Sequence, residues 1–212
     1  MFKDRIEAGN LLAEQLLSYS NNTNVVVVAV PRGGLPIGFA ISKKLNVPLE
    51  IVLSKKIGHP LNKEFAIGAV TLKNCVLSDD VAGISKLYID EETIKIRKLL
   101  KERELAYYGK RTPVNLKNKI VIVVDDGIAT GNTLISSIQL IHLQKPNQII
   151  VAAPVASKSA FNKIEKNPLV YKIICLLNPE RFQAVGQFYQ DFGQVSDSEA
   201  IKLLHNAHIK TN

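Results

Sequence analysis

Two runs of β-branched residues constrain this chain more than anything else in it. VVVVAV (Val25–Val30) and IVIVV (Ile120–Val124) are continuous rather than alternating, and each stops at a glycine-containing turn leading into a helical segment. A strand with water on one face alternates apolar and polar residues, whereas an unbroken apolar run of this length fits a strand buried on both faces. Leu49–Leu53, Ile149–Ala153 and Val170–Leu177 supply three more strand candidates. Helical patterns over Leu35–Leu45, about Gly131–Leu143 and Ser157–Lys166 fall between them. Strand alternating with helix predicts an α/β fold: a Rossmann-like parallel sheet flanked by helices.

Two stretches depart from the alternation. Residues 54–118 begin basic and Gly/Pro-containing, carry a hairpin pattern (Phe65–Leu77), and end in a charged helix around Asp90–Tyr108 with acids in its first turn. At the chain ends, Phe2, Ile6, Leu12, Leu16 and Leu17 lie close to one helical face, and Ser196–Glu199 reads as a capping box before a helix through Leu204. The expectation is a single domain over 1–212. Its core spans about 24–177, a flexible lid is inserted at about 54–118, and a small hood is formed by about 1–20 and 178–212.

Composition excludes several classes. Hydrophobic residues make up 46% and charged residues 22% of 212, which is globular rather than disordered. No apolar run reaches the roughly 18 residues of a membrane span, and the polar start MFKDRIEAGN does not read as a signal peptide. Cys75 and Cys175 have neither disulfide nor metal-ligand spacing, so a reduced, cytoplasmic protein without membrane contact is expected. The formal net charge of +8 points to an anionic partner. Lys43, Lys44, Lys55, Lys56 and Lys63, against the single acid Glu50, give the stretch 43–63 a net +4. That stretch is expected beside the anion site, steering a small polyanion rather than a nucleic acid.

The chemistry concentrates in VIVVDDGIATGNT (Val121–Thr133). A buried strand delivers Asp125 and Asp126 to its carboxyl end, the edge where open α/β sheets bind ligands. The small-residue turn that follows, Ala129–Thr133, opens into a helix, so its backbone N–H groups can converge on a phosphate. Carboxylates beside such a cradle suit a sugar phosphate, the acids accepting hydrogen bonds from hydroxyls. The segment is neither a GxxxxGK[ST] loop nor a GxGxxG loop. A second turn, PRGG (Pro31–Gly34), follows the first strand. Its glycines tolerate unusual backbone angles, and Arg32 can pair with phosphate bidentately.

VIVVDDGIATGNT closely resembles the phosphoribosyl pyrophosphate (PRPP) motif of type I phosphoribosyltransferases: four hydrophobic residues, two acids, then a loop ending Thr-Gly-x-Thr. The resemblance implies that Asp125 and Asp126 hold the ribose 2′- and 3′-hydroxyls. Ala129, Thr130, Gly131, Asn132 and Thr133 would then wrap the 5′-phosphate. PRGG matches the family's pyrophosphate turn, often built on a strained or cis peptide, with Arg32, Gly33 and Gly34 as its residues. SKK matches the basic pair before the family's mobile loop, giving Lys55 and Lys56 to pyrophosphate. The implied catalytic set is Asp125, Asp126, Arg32 and Lys56. Mg²⁺ is the implied cofactor, held through water by the two aspartates rather than ligated directly. Gly127 departs from the family, which usually has an aliphatic residue there. FKDRIEAG, NKEFAIGAV and FGQVSDSE are similar to a less characterised bacterial subgroup, which extends the resemblance over essentially the whole chain.

The implied reaction is attack of a nitrogen nucleophile on C1 of PRPP, with inversion and release of pyrophosphate to the medium. Partners would be PRPP, a small-molecule acceptor and a second copy in a homodimer. Ala129 stands where 6-oxopurine enzymes carry an Asp, which disfavours hypoxanthine and guanine. Phe182, Phe188 and Tyr189 could stack on a base or pack the tail. Glu64, in the lid, could position a hydroxyl or a proton, although it reads mainly as a surface charge. Arg103 and Arg111 flank the insertion within reach of phosphate, with surface pairing expected for Arg103. The alternative function is a non-catalytic PRPP-binding regulator that uses its basic surface on RNA or DNA.

Overall fold

The computed structural model describes residues 1–78 and 81–208, with the side chain of Glu64 left out. Strands β1 (Val25–Ala29), β2 (Leu49–Ile51), β6 (Ile120–Val124), β7 (Gln148–Val155) and β8 (Lys172–Leu177) form a five-stranded sheet in the order β2-β1-β6-β7-β8. Every pairing in it is parallel. All five residues of β1 are buried, as a strand covered on both faces requires. Val25, Val27 and Ala29 join one core with helices α1 (Arg5–Glu14), α2 (Gly34–Leu45) and α6 (Asp197–His208). Val26, Val28 and Val30 join the other with α4 (Asn132–His142) and α5 (Lys158–Glu165). Each buried valine contributes about 1.5–3 kcal/mol, which explains why the sequence is β-branched on both faces.

The insertion is a built unit with its own core. Strands β3 (Lys55–His59), β4 (Asn62–Val70) and β5 (Cys75–Leu77) form an antiparallel sheet, and Ile57, Ile67 and Val70 pack against Ile96 and Leu100 of α3 (Lys86–Tyr108). The expected hairpin over Phe65–Leu77 is the β4–β5 pair, and β3 is the strand the sequence pattern did not reveal. Helix α3 begins at Lys86, so its first turn holds no acid, contrary to expectation. A helix with acids deeper in its second turn gains less from its N-terminal dipole and relies instead on packing.

At the chain ends, Phe2 and Tyr189 form a parallel bridge, with the Phe2 N–H donating to the Phe188 carbonyl at 2.8 Å. The N-terminal helix is shorter than the apolar pattern suggested, ending at Glu14 before a 3₁₀ turn at Leu17–Tyr19. Ser196 caps α6, its Oγ accepting from the Glu199 N–H at 3.1 Å. Among the described residues, no helix is long and apolar enough to cross a membrane.

Candidate active site

The sheet order places a topological switch between β1 and β6. From β1 the chain moves outward to β2, and from β6 it moves the opposite way to β7 and β8. Helices on either side diverge there and open a crevice beyond the carboxyl ends, the general ligand position in open α/β sheets. PRGG leaves β1 at that crevice, and Asp125 and Asp126 leave β6 beside it. The Val30 N–H donates to the Val124 carbonyl at 2.9 Å, joining the two exits.

Contact between the exits is close enough to dictate residue type. A Cβ on Gly33 would lie 2.1 Å from Asp126 Oδ2 and one on Gly34 2.7 Å from the Val124 carbonyl oxygen, so a larger residue would displace the Asp126 carboxylate at the first position and the β6 backbone at the second. The Pro31–Arg32 peptide is cis, the geometry the family resemblance implied. Gly127, the departure from the family pattern, also has a steric reason. A Cβ there would meet Val185 Cγ1 at 2.4 Å, because the C-terminal hood packs onto this turn.

The two carboxylates are electrostatically costly. Burial, and then the neighbouring Asp126 charge, push Asp125 well above the ordinary aspartate range, although the Asp126 N–H donates to its Oδ1 at 2.9 Å. Burial also raises Asp126, opposed by Arg5. Arg5 Nε and Nη2 both sit 2.9 Å from Asp126 Oδ2, with side chains only 11% and 15% exposed. The same guanidinium donates to the Gly193 carbonyl at 2.7 Å and lies 3.9 Å from the Phe192 ring centre. Tyr189 Oη donates to the Asp126 carbonyl at 2.6 Å. The hood thus grips the second aspartate by both its side chain and its backbone.

Ala129–Thr133 is fixed from outside, leaving its inner surface open. The Ile128 N–H donates to Val155, and the Ser157 N–H returns a bond to Ile128, at 2.8 and 2.9 Å. Ser157 Oγ donates to the Ala129 carbonyl at 2.7 Å. Gly131 takes φ +75 and heads α4 without a side-chain cap among the described residues. The first N–H groups of α4 therefore have no intrahelical acceptor and are available to an anion. Ala129, Thr130, Asn132 and Thr133 are exposed. Lys163 adds a cation, its Nζ donating to Asn132 Oδ1 at 2.7 Å.

Arg32 faces a cavity of about 260 Å³ that it shares with Ser54, Arg103, Tyr107, Thr133 and Asp197. Lys55 and Lys56 are not among its walls. They line a different cavity, of about 290 Å³, with Lys63, Glu92 and Lys95 between the antiparallel sheet and α3. Lys43 and Lys44 are also displaced from the expected anion site, because they lie in the last turn of α2. That helix is 12 residues long, about 18 Å from the PRGG end, and Lys44 pairs with Glu14. Arg103, expected to pair on the surface, lines the Arg32 cavity, and Arg111 pairs with Glu50 at 2.7 Å. The Glu64 side chain lies outside the described residues. Tyr189 is buried against Phe192 and Asp126, whereas Phe182 and Phe188 pair with ring centres 5.5 Å apart and stay partly exposed. A larger cavity, about 990 Å³, lies between the end of α3 and Thr112–Lys117, away from the carboxylates.

Sequence reasoning missed Arg5, Asp197 and Tyr107. Arg5 is 121 residues from Asp126, and the available signal was indirect: two adjacent buried acids call for a counter-charge. No spacing could have named which of the 27 basic residues supplies it.

Comparison with known proteins identifies the family. The phosphoribosyl transferase domain family matches residues 3–189, and the chain belongs to that family. A Mycobacterium tuberculosis protein named "Putative phosphoribosyl transferase" is 34% identical over 212 residues, covering 98% of this chain and 47% of its own length. The chain thus spans about half the length of the curated relatives it matches first. The uracil phosphoribosyltransferase of Mycoplasma genitalium is 30% identical over 132 residues, 60% of this chain and 63% of that protein. The crystal structure of TT1426 from Thermus thermophilus superposes with a TM-score of 0.85 at 33% identity, covering 97% of this chain and 98% of that one.

Proposed function

We propose that this chain is a Mg²⁺-dependent transferase that moves the 5-phosphoribosyl group of PRPP to a nitrogen acceptor and releases pyrophosphate. The observation that carries the reading is the juxtaposition at the β1–β6 switch. Two turns suited to anions, PRGG and ATGNT, flank a carboxylate pair close enough for Gly33 to touch Asp126. A molecule with phosphates at both ends and hydroxyls between them matches that order of groups. Asp125 and Asp126 orient the ribose hydroxyls, the α4 N-terminus receives the 5′-phosphate, and Arg32 with the PRGG backbone receives pyrophosphate. As C1 gains oxocarbenium character, the leaving group gains charge that Arg32 stabilises. Lys55 and Lys56 complete that side when the antiparallel unit closes over the cleft, excluding water from PRPP.

Mg²⁺ fits the donor set. Among the described residues no three His, Cys, Asp or Glu side chains converge as a metal cage. Mg²⁺ characteristically takes one or two carboxylates and completes its shell with water and substrate phosphates. Asp125 and Asp126 would hold it through water, and when bound it would neutralise charge on the leaving pyrophosphate. The two free thiols, Cys75 and Cys175, suit a reducing compartment such as the cytoplasm.

The acceptor is a nitrogenous base or a similar amine, and the uracil enzyme among the relatives makes uracil the first to test. The exposed Ala129 offers no carboxylate to a purine, so hypoxanthine and guanine are expected to be poor acceptors. The test is pyrophosphate release from PRPP and Mg²⁺ across a panel of bases and amines. Turnover with one acceptor, lost by about 100-fold or more in Asp125→Asn and Asp126→Asn, is the expected result. Tight PRPP binding with no turnover on any acceptor would instead favour a PRPP-sensing regulator.

A further inference from the structure

The cavity beside PRGG holds more cationic side chain than the sequence motifs account for. Arg32 comes from the β1 exit and Arg103 from α3, more than seventy residues later, yet both line the same space of about 260 Å³. Tyr107, one helical turn beyond Arg103, lines it too, and Thr133 connects it to the loop at the head of α4. The facing acid is Asp197, in the first turn of α6. Its Oδ2 lies 3.7 Å from Arg32 Nη1, and Tyr107 Oη donates to its Oδ1 at 3.2 Å.

We propose that Arg103 and Tyr107 form the second wall of the pyrophosphate subsite, and that Asp197 occupies the place of the anion when no substrate is bound. This rests on the PRPP reading above and adds residues from α3 and α6 that no phosphoribosyltransferase motif in the chain contains.

Three physical points carry it. First, one exposed carboxylate cannot neutralise two guanidinium groups, so the cavity keeps an excess positive charge. Second, the Arg32–Asp197 pair is long and solvent-exposed, with side chains 37% and 68% accessible, the kind of contact that is weak and readily exchanged. A pyrophosphate carries several charges and can accept from both guanidiniums at once, so it outcompetes a single carboxylate. Third, the Tyr107 hydroxyl already donates to an anionic oxygen. Burial and the Asp197 charge push its pKa to about 12, with Arg32 and Arg103 acting against them. The phenol therefore stays protonated as a donor at neutral pH and can turn from the carboxylate to a phosphate oxygen. Because α3 belongs to the inserted unit and α6 to the C-terminal segment, the bound anion would tie both to the core.

Calorimetric titrations of the full chain with PRPP, inorganic pyrophosphate and ribose 5-phosphate test this, using Arg103→Gln, Tyr107→Phe and Asp197→Asn. Arg103→Gln should weaken pyrophosphate and PRPP by about tenfold or more, the scale of a lost charged hydrogen bond. Ribose 5-phosphate affinity, which reads the other end of the site and the folded state, should be unchanged. Tyr107→Phe should produce a smaller loss of the same pattern. Asp197→Asn should tighten pyrophosphate severalfold, an effect opposite to that of structural damage. Unchanged pyrophosphate affinity in Arg103→Gln, with PRPP still bound by the wild type, overturns this inference alone. Equal losses for ribose 5-phosphate and pyrophosphate also overturn it, since they indicate a folding defect. A wild type that binds neither PRPP nor pyrophosphate overturns both this inference and the function reading.

Discussion

Two arginine–carboxylate pairs sit at opposite ends of this chain's logic. At the edge of the sheet, Glu50 is 3% exposed and fully partnered: Arg111 reaches both its oxygens at 2.7 and 3.2 Å, and the Val114 N–H donates to it at 3.2 Å. Arg111 also lies over the Tyr108 ring, 4.7 Å from its centre. At the switch crevice, Arg5 meets a single oxygen of Asp126, whose neighbour Asp125 is a second buried acid without a cation of its own bonded to it among the described residues. One pair balances its charge and partners both carboxylate oxygens, leaving only the buried Arg111 Nε without a hydrogen bond among the described residues, and such matching is what offsets desolvation in a structural ion pair. The other sets two carboxylates against one guanidinium and, by burying them, raises both their pKa values, an imbalance that a protein tolerates where a ligand will share it.

Breaking the balanced pair should have the largest effect on stability. Arg111→Ala leaves Glu50 buried without its counter-charge and should cost about 3–5 kcal/mol, measured as a shift in urea midpoint. A loss below about 1 kcal/mol would mean the pair is no better than a surface contact. Arg5→Gln should cost less, about 1–3 kcal/mol, because Asp126 can take up a proton. Since Arg5 lowers the Asp126 pKa, its removal should also move the acid limb of PRPP binding to higher pH. A limb that stays in place would show that Asp126 does not titrate with binding.

The smallest effect should have the opposite sign. Asp125→Asn removes a strained charge and should stabilise the unliganded chain by about 1 kcal/mol, roughly 2–4 °C in Tm for a domain of this size. The pH dependence follows from the raised pKa values. Between the ordinary aspartate value of 3.8 and the higher folded value, the folded state holds more protons than the unfolded one. This stabilising contribution is full below the unfolded pKa and is lost as pH rises through the folded pKa. Asp125→Asn should flatten that decline in thermal melts; an unchanged slope would assign the decline to other groups.

Much of this arrangement was readable in the sequence, because it depends on local rules. Continuous valine runs specify strands covered on both faces, and VIVVDDGIATGNT specifies a strand end, a turn and a helix start within 13 residues. Boundaries were less legible: α3 starts at Lys86 rather than near Asp90, and β3 was not evident, because a strand with Gly58 and two exposed lysines carries little periodicity. The lysine-rich stretch 43–63 misled for a related reason. Lys43 and Lys44 are near Lys55 in sequence, but α2 runs back to the amino ends of the parallel strands, and β2 then returns the chain to their carboxyl ends before Lys55.

The sequence by itself determined the class of fold, the order of the strands and helices of its parallel core, and the acids and glycines at the strand exits. These follow from side-chain shape and backbone freedom within a few residues. Only the tertiary structure decided which cations answer which acids: Arg5 for Asp126, Arg111 for Glu50, and Arg32 for Asp197. A charge pair needs only proximity in space. The sequence carries no period or spacing for two groups that the chain brings together from more than sixty residues apart.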